Sequence, residues 1–213
     1  MRTEEEQAEI IREWWEKNGF ATILAIVAAI ALILGWRQWQ AHQETAAAEA
    51  SALYQNMMGA AQMMEMQGMG EPDTVRNPAR QLRDDHPRTA YADHAALMLA
   101  RLAVGEGDHE QAAGYLEQVL ERPATEALEH TARLRLARLY IEMERADEAL
   151  ALLEREPPSA WRGQVLEVRG DALRQTGDHD EARRAYESAL DAAEDGAARE
   201  RVRMKLDDLQ SLS

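Results

Sequence analysis

The 213-residue chain contains no cysteine and only two lysines, Lys17 and Lys205. Without cysteine it can form no disulfide scaffold, no thiolate zinc site and no cysteine nucleophile. Basic residues are scarce overall, since 24 lysines and arginines face 39 acidic residues and the net charge is −15. A duplex nucleic-acid binder needs basic side chains to neutralise phosphates, so we expect no nucleic-acid partner.

β-Branched residues are also scarce beyond the N-terminal region. Six of the seven isoleucines lie at or before Ile33, and only Ile141 follows. From residue 37 onward, six valines stand among many alanines, leucines, glutamates and arginines. Strands favour β-branched and aromatic side chains, whereas helices favour alanine, leucine, glutamate and arginine. This composition predicts an all-α fold.

One long apolar segment interrupts an otherwise polar chain. No charged residue occurs from Asn18 to Trp36. At about 1.5 Å per residue, the distance from Trp15 to Trp36 is roughly 30 Å, the thickness of a bilayer core. Tryptophan prefers the two membrane interfaces. We therefore predict a single transmembrane helix over residues 18–39, with four interface anchors: Trp14, Trp15, Trp36 and Trp39.

The same segment could instead be a buried helix of a soluble protein or a cleaved signal peptide. Buried helices rarely carry tryptophan pairs at both ends. Signal cleavage needs small residues just after the apolar run, whereas here the run ends in the bulky, charged sequence Gly35-Trp36-Arg37. An uncleaved anchor is the interpretation that the flanking residues favour.

Basic residues near the two ends indicate how the anchor is oriented. Arg2, Arg12 and Lys17 precede the uncharged run Asn18–Trp36, and only Arg37 lies in the first 20 residues beyond that run. By the positive-inside rule, residues 1–17 form a cytoplasmic tail. Residues 40–213 then form a domain outside the cytoplasm, which in a bacterium with two membranes is the periplasm.

Internal repeats follow in the C-terminal half. The sequence Gly107-Asp-His-Glu-Gln-Ala112 closely resembles Gly177-Asp-His-Asp-Glu-Ala182, and a related frame begins at Glu144 without the glycine. These three positions are 37 and 33 residues apart, which brackets the tetratricopeptide period of about 34 residues. We predict a tetratricopeptide-like α-solenoid of about three helix hairpins, the alternative being an ordinary helical bundle.

Each frame has a physical rationale. Gly107 and Gly177 can end one helix in a left-handed conformation, and Asp108 and Asp178 can cap the next. Small residues let the paired helices approach closely, and larger ones four residues later fill the space beside them. These are Ala112, Ala149 and Ala182, with Leu116, Leu153 and Tyr186. Prolines should end the second helices: Pro123, Pro157 and Pro158. Residues 197–210 should form a capping helix.

The first helix of each repeat presents a further stripe that would face the concave side of the stack. In the first two repeats it combines aliphatic side chains with equivalently placed arginines, which would suit an extended or helical peptide with acidic groups. The alternative is salt bridging to nearby glutamates. The predicted partner-binding residues are Leu97, Arg101, Val104, Leu134, Arg138 and Ile141. The corresponding stripe in the third repeat contains Gln164, Glu167, Asp171 and Arg174.

Methionine is concentrated in one segment. Six of the ten methionines lie between Met57 and Met69. Methionine adapts its shape and suits promiscuous apolar binding, so the segment is either a binding surface or core between the first helix and its neighbours.

Catalytic and metal-binding patterns are missing from the sequence. The six histidines show no tight ligand spacing such as His-Glu-x-x-His. No nucleophile-elbow or phosphate-loop motif occurs. We therefore expect no metal site, no cofactor and no enzymatic activity.

The junctions around the anchor carry a family resemblance. They are Trp14-Trp15-Glu-Lys-Asn18-Gly19-Phe20, Gly35-Trp36-Arg37-Gln-Trp39-Gln-Ala-His42-Gln43 and Ala50-Ser51-Ala-Leu-Tyr54-Gln55-Asn56. Together with the repeats, they resemble the YfgM family over nearly the whole chain. The methionine-rich segment is not typical of that family.

The resemblance implies a role. It suggests an ancillary subunit of the SecYEG translocon in the bacterial inner membrane, a non-catalytic scaffold with a cytoplasmic N-terminus and a periplasmic C-terminal domain. Its partners would be the SecYEG channel, a membrane-anchored parvulin-type periplasmic chaperone and exported polypeptides. An alternative is a periplasmic tetratricopeptide adaptor for cell-envelope assembly that is not tied to the translocon.

Overall fold

A computed structural model of the chain describes residues 4–67 and 71–211. These residues form nine α-helices and no strand, which confirms the predicted all-α fold. In chain order the helices are α1 (Glu4–Gln67), α2 (Pro72–Asp85), α3 (Ala90–Gly105), α4 (His109–Glu121), α5 (Glu126–Glu142), α6 (Ala146–Leu152), α7 (Ser159–Thr176), α8 (His179–Ala192) and α9 (Gly196–Ser211). The chain divides into two compact units, one ending at Glu49 and the other beginning at Ala50.

The first unit is helical and contains the apolar segment. The large apolar side chains from Phe20 to Leu34 are exposed. Only 6% of the most apolar stretch of 18 residues is buried. A core helix of a soluble protein buries such side chains instead. Within the described part of the chain, α1 is the one helix that is long and apolar enough to cross a membrane.

The second unit is a stack of helix hairpins. α3 packs against α4, α5 against α6, and α7 against α8, at the three places where repeats were predicted. Neighbouring hairpins pack through α4 on α5, α6 on α7 and α5 on α7. α9 packs on α8 and contributes Val202 and Leu209 to the core at that end. The tetratricopeptide-like solenoid with a final capping helix is therefore confirmed.

The turns within the three hairpins share one geometry. Gly107 and Gly177 have φ of 77° and 88°, as predicted, and Glu144 takes the same left-handed conformation with φ of 61°. In each turn the next amide donates to a carbonyl oxygen five residues earlier: Asp108 to Ala103 at 2.9 Å, Arg145 to Tyr140 at 2.8 Å, and Asp178 to Leu173 at 3.0 Å. This bond closes the end of the preceding helix, so the middle repeat keeps the turn without a glycine.

The two predicted aspartate caps behave differently. The Asp108 carboxylate accepts a hydrogen bond from the Gln111 amide at 3.0 Å and caps α4. Asp178 makes no such bond to α8, so the prediction for this residue was wrong. The Asp178 carboxylate instead lies 3.1 Å from the Thr176 hydroxyl, whose single proton is also within 3.0 Å of the Leu173 carbonyl oxygen.

The predicted proline stops are only partly correct. α4 ends just before Pro123, as expected. The second helix of the middle repeat is short, however, and spans only Ala146–Leu152. It ends well before Pro157 and Pro158, so these prolines do not terminate it. Pro158 instead lies immediately before α7, which begins at Ser159.

The predicted small residues between paired helices lie in the core. Ala112, Ala149 and Ala182 are fully buried, and the larger residues four positions later are buried beside them. α7 and α8 approach closely at Gly170, where an added Cβ would lie 2.5 Å from Cε1 of Tyr186. Such close packing determines how the two helices of this hairpin are positioned against each other.

Candidate partner-binding groove

A groove lies between α3 and α5, the first helices of two adjacent hairpins. Residues three or four positions apart share one face of a helix, so each helix contributes a row of side chains. The volume of the groove is about 440 Å³. Its lining residues are Leu97, Ala100, Arg101, Val104, Leu116, Arg135, Arg138, Leu139 and Glu142.

The floor of this groove is apolar and its edges are charged. Leu97, Ala100, Leu116 and Leu139 are buried and form the floor, whereas Val104 at the rim is 38% exposed. A floor of this kind accepts aliphatic side chains, and the few polar groups around it can orient a ligand.

Four of the six predicted partner-binding residues line the groove: Leu97, Arg101, Val104 and Arg138. The other two lie elsewhere. Leu134 is only 2% exposed and belongs to the core. Ile141 packs against that core, and its carbonyl oxygen accepts a hydrogen bond from Nε2 of Gln175 at 2.8 Å.

Sequence reasoning missed Arg135, which also lines the groove. The predicted stripe on this helix passed through Leu134 and Arg138 and therefore omitted the adjacent position. Arg135 lies three residues before Arg138, and this spacing places both on one helical face. The two arginines at that spacing were the signal that could have identified it.

Three guanidinium groups meet at the edge of the groove, and only one of them is paired. Nη2 of Arg101 lies 3.2 Å from Oε1 of Glu65, and both side chains are exposed. No carboxylate of the described residues forms a salt bridge with Arg135 or Arg138. Partial burial lowers the pKa of Arg135, and repulsion from Arg101 and Arg138 lowers it further. The arginine side of the groove therefore carries positive charge that no ion pair among the described residues neutralises at Arg135 or Arg138.

Glu142 is the one carboxylate among the lining residues. Its Oε1 lies 4.0 Å from Nε2 of His109 on α4. Glu142 is one turn beyond Arg138 on α5, yet the two side chains do not pair. The groove consequently has an excess of positive charge in a chain whose overall charge is −15.

In the third repeat, the corresponding carboxylates are already engaged. Glu167 is buried and accepts two hydrogen bonds of 2.8 Å from Arg201 on α9. Nζ of Lys205 donates to Glu167 at 2.8 Å and to Asp171 at 2.6 Å. The capping helix therefore engages Glu167 and Asp171, two of the four positions that the sequence stripe assigned to the concave surface of this repeat, whereas Gln164 and Arg174 are exposed.

The four predicted interface tryptophans are all exposed on α1. Trp14 and Trp15 have ring centroids 6.4 Å apart, and those of Trp36 and Trp39 are 5.1 Å apart. The two pairs thus bracket the apolar segment with amphipathic rings, as an interfacial role requires. That role itself stays a prediction.

The methionine-rich segment divides between core and surface. Met57 is fully buried, and Met64 packs against the same core. Met58, Met63 and Met66 are exposed. Met69 lies outside the described residues. The core interpretation therefore holds for two of these side chains, while three present flexible apolar surface.

Histidine and carboxylate side chains do not gather into a metal site in the part of the chain that the structure describes. No group of three or more potential ligands of this kind occurs there. The most favourable arrangement for binding is instead the apolar, arginine-edged groove, which suits a polypeptide segment better than an ion.

Comparison with known proteins places this architecture in a family. A family model described as a tetratricopeptide repeat-like domain matches residues 12–211. A protein of Escherichia coli strain K12, named ancillary SecYEG translocon subunit, is 32% identical over 97% of this chain and 96% of its own length. The chain belongs to the YfgM family.

Other relatives in this family show the same coverage. Proteins with the same name from Haemophilus influenzae and Neisseria gonorrhoeae are 27% and 25% identical, each over 97% of this chain. Similarity therefore extends through the apolar segment as well as the repeats, and the resemblance noted in the sequence is confirmed for the YfgM family.

Proposed function

We propose that this protein is an ancillary subunit of the SecYEG translocon, a non-catalytic scaffold that links the export channel to periplasmic chaperones and emerging polypeptides. The observation that carries the proposal is the 32% identity to the Escherichia coli ancillary subunit over 97% of the chain. A generic repeat protein would match the repeats alone, whereas this match includes the anchor. The proposal therefore concerns the chain as a whole.

In this proposal, the chain crosses the bacterial inner membrane once. Residues 1–17 form a cytoplasmic tail, residues 18–39 cross the membrane, and residues 40–213 lie in the periplasm. The placement is supported by Arg12 and Lys17 on one side of the apolar segment against Arg37 on the other. Arg2, which adds to the first group, lies outside the described residues.

The anchor and the solenoid would contribute in different ways. A module confined to the membrane meets a channel in that membrane at high effective concentration, so each contact can be weak. The concave surface of a solenoid suits extended partners. In this chain the groove between α3 and α5 is the proposed binding surface, with Leu97, Arg101, Val104 and Arg138 among its contacts.

Two kinds of partner follow from this arrangement. One is a membrane-anchored periplasmic chaperone of the parvulin type, and the other is the exported polypeptide itself. The exposed side chains of Met58, Met63 and Met66 support the second, because methionine adapts to varied apolar sequences. Leu134 and Ile141 would support the groove from within the stack and make no direct partner contact.

The proposal can be tested by affinity purification of the full-length chain from membranes solubilised in a mild detergent. We expect SecY, SecE and SecG to copurify, as quantified by mass spectrometry. A matched chain in which a foreign single-span anchor replaces residues 1–43 controls for nonspecific membrane recovery. If the native anchor itself contacts the channel, this control recovers less SecY than the full-length chain does.

Recovery of a different envelope complex without SecY would contradict the proposal. That result would favour the alternative, a periplasmic tetratricopeptide adaptor that acts in envelope assembly away from the translocon.

A further inference from the structure

The charge of the groove between α3 and α5 is opposite to that of the whole protein. The chain has a net charge of −15, yet three arginines and only one glutamate line this groove. Arg135 and Arg138 have no salt-bridge partner among the described residues, and Arg135 lies close enough to both Arg101 and Arg138 to be repelled by them. An anionic ligand would relieve this repulsion, so charge complementarity defines the occupant.

We propose that the groove binds a partner polypeptide segment in which carboxylates alternate with aliphatic side chains, that Arg135 and Arg138 receive the carboxylates, and that Glu65 of the same chain competes for Arg101. This inference rests on the proposed function, because it takes the groove as the partner-binding surface. It adds the chemical class of the bound segment and an internal competitor.

The floor of the groove determines the aliphatic part of the ligand. Leu97, Ala100, Leu116 and Leu139 line it, and the volume of about 440 Å³ holds several aliphatic side chains. The guanidinium group is a planar fork that binds a carboxylate through two parallel hydrogen bonds. A segment with both kinds of side chain therefore satisfies the floor and the edge together.

Glu65 shows that a carboxylate can bind at this edge. Its Oε1 lies 3.2 Å from Nη2 of Arg101, and the two side chains are 66% and 56% exposed. Exposed ion pairs are weak because water and salt screen them. A ligand carboxylate can therefore replace Glu65 at Arg101 with little loss, and removing the Glu65 charge should strengthen ligand binding.

The test uses the full chain in lipid nanodiscs and a short fluorescein-labelled peptide of alternating glutamate and leucine. A matched peptide of alternating glutamine and leucine keeps the length and the aliphatic side chains. We expect the glutamate peptide to bind more tightly by about tenfold or more. Its affinity should also fall as salt is added, because its contacts lie near the surface. Fluorescence anisotropy measures both.

Three variants locate the binding surface. The double change Arg135→Glu and Arg138→Glu should weaken binding of the glutamate peptide by about tenfold or more. Glu65→Gln should tighten it by about two- to fivefold. Arg162→Glu, a charge reversal at an exposed arginine of α7 outside the groove, should leave it unchanged. If the double variant with two glutamates loses helicity, the double change Arg135→Gln and Arg138→Gln removes the two positive charges without adding negative ones.

Equal binding of the two peptides, or unchanged binding in both double variants, would overturn the inference. Weaker binding after Glu65→Gln would reject Glu65 as the competitor. Copurification of SecY is measured on the same chains. Loss of the peptide preference with SecY retained would refute only the groove inference, whereas intact peptide binding without SecY would refute only the proposed function.

Discussion

At the residue scale, Gly170 determines how closely α7 and α8 approach. A Cβ at this position would lie 2.5 Å from Cε1 and 2.6 Å from Cδ1 of Tyr186. The tyrosine ring is fully buried, and its hydroxyl donates to Oδ1 of Asp171 at 2.8 Å. The ring therefore cannot move aside without losing packing and this hydrogen bond.

We predict that Gly170→Ala lowers the free energy of unfolding by about 1–3 kcal/mol, the usual cost of overpacking a core. Urea unfolding of the full chain in detergent micelles, followed by circular dichroism, measures the change. Gly114→Ala in α4 is the matched control. Nothing lies within 4 Å of a Cβ there, so that change should stabilise the chain by about 0.5–1 kcal/mol. A Gly170→Ala chain as stable as the wild type would refute the packing argument.

Single residues were predictable where local chemistry alone decides their conformation. Gly107 and Gly177 adopt the left-handed turn because that conformation favours glycine. The same turns contain identical Gly-Asp-His triplets, yet only Asp108 caps its helix. In the later turn the Asp178 carboxylate lies beside the Thr176 hydroxyl, whereas Glu106 occupies the equivalent position of the earlier turn. A difference of this kind depends on side-chain positions that the repeat pattern does not determine.

At the scale of elements, α9 is held to α7 by a buried carboxylate. Glu167 is 4% exposed and is bound by Arg201 and Lys205. Burial alone would raise the pKa of this carboxyl group. The hydrogen bonds and positive charges of the two basic residues outweigh burial and lower the pKa to about 2.

This low pKa predicts how stability depends on pH. An unfolded glutamate titrates near pH 4.3, so the contribution of Glu167 is complete above about that pH and is lost as the pH falls toward about 2. Its size is about 3 kcal/mol at most. The Glu167→Gln chain should therefore have a lower free energy of unfolding than the wild type at pH 7. This difference, the stability gap, should narrow as the pH approaches 2.

Urea unfolding at a series of pH values measures the gap. Glu200→Gln, which removes one charge of the exposed Arg203–Glu200 pair within α9, should follow the wild type throughout. A constant gap between Glu167→Gln and the wild type from pH 7 to pH 2 would show that Glu167 does not act through its charge.

The role of α9 could be predicted only in outline. A capping helix near the end was expected from the needs of a solenoid, and α9 spans Gly196–Ser211. Glu167 was expected on the concave surface because it is equivalent to leucines in the earlier repeats. It is buried instead, since Arg201 and Lys205 reach it from more than thirty residues later in the chain. Only the folded arrangement brings such partners together.

At the scale of the whole molecule, the chain combines two kinds of sequence signal. The membrane-spanning length of the apolar segment and the period of the repeats could both be predicted from the sequence, because each follows a simple rule of length or spacing. The lining of the groove between α3 and α5 could be predicted from the sequence only in part. Its aliphatic and arginine positions recur in the first two repeats, but Arg135 and the pairing of Glu65 with Arg101 depend on how the helices face one another.

The central claim is that the stack displays its groove to polypeptides emerging from the export channel. Site-specific photocrosslinking in living cells tests it, with the crosslinker placed at Val104 on the groove rim or at Met204 on α9, both of which are exposed. With a secretory chain stalled in the channel, we predict crosslinks to that chain from position 104 and few from position 204. Crosslinks from neither position, or equal crosslinks from both, would contradict the account.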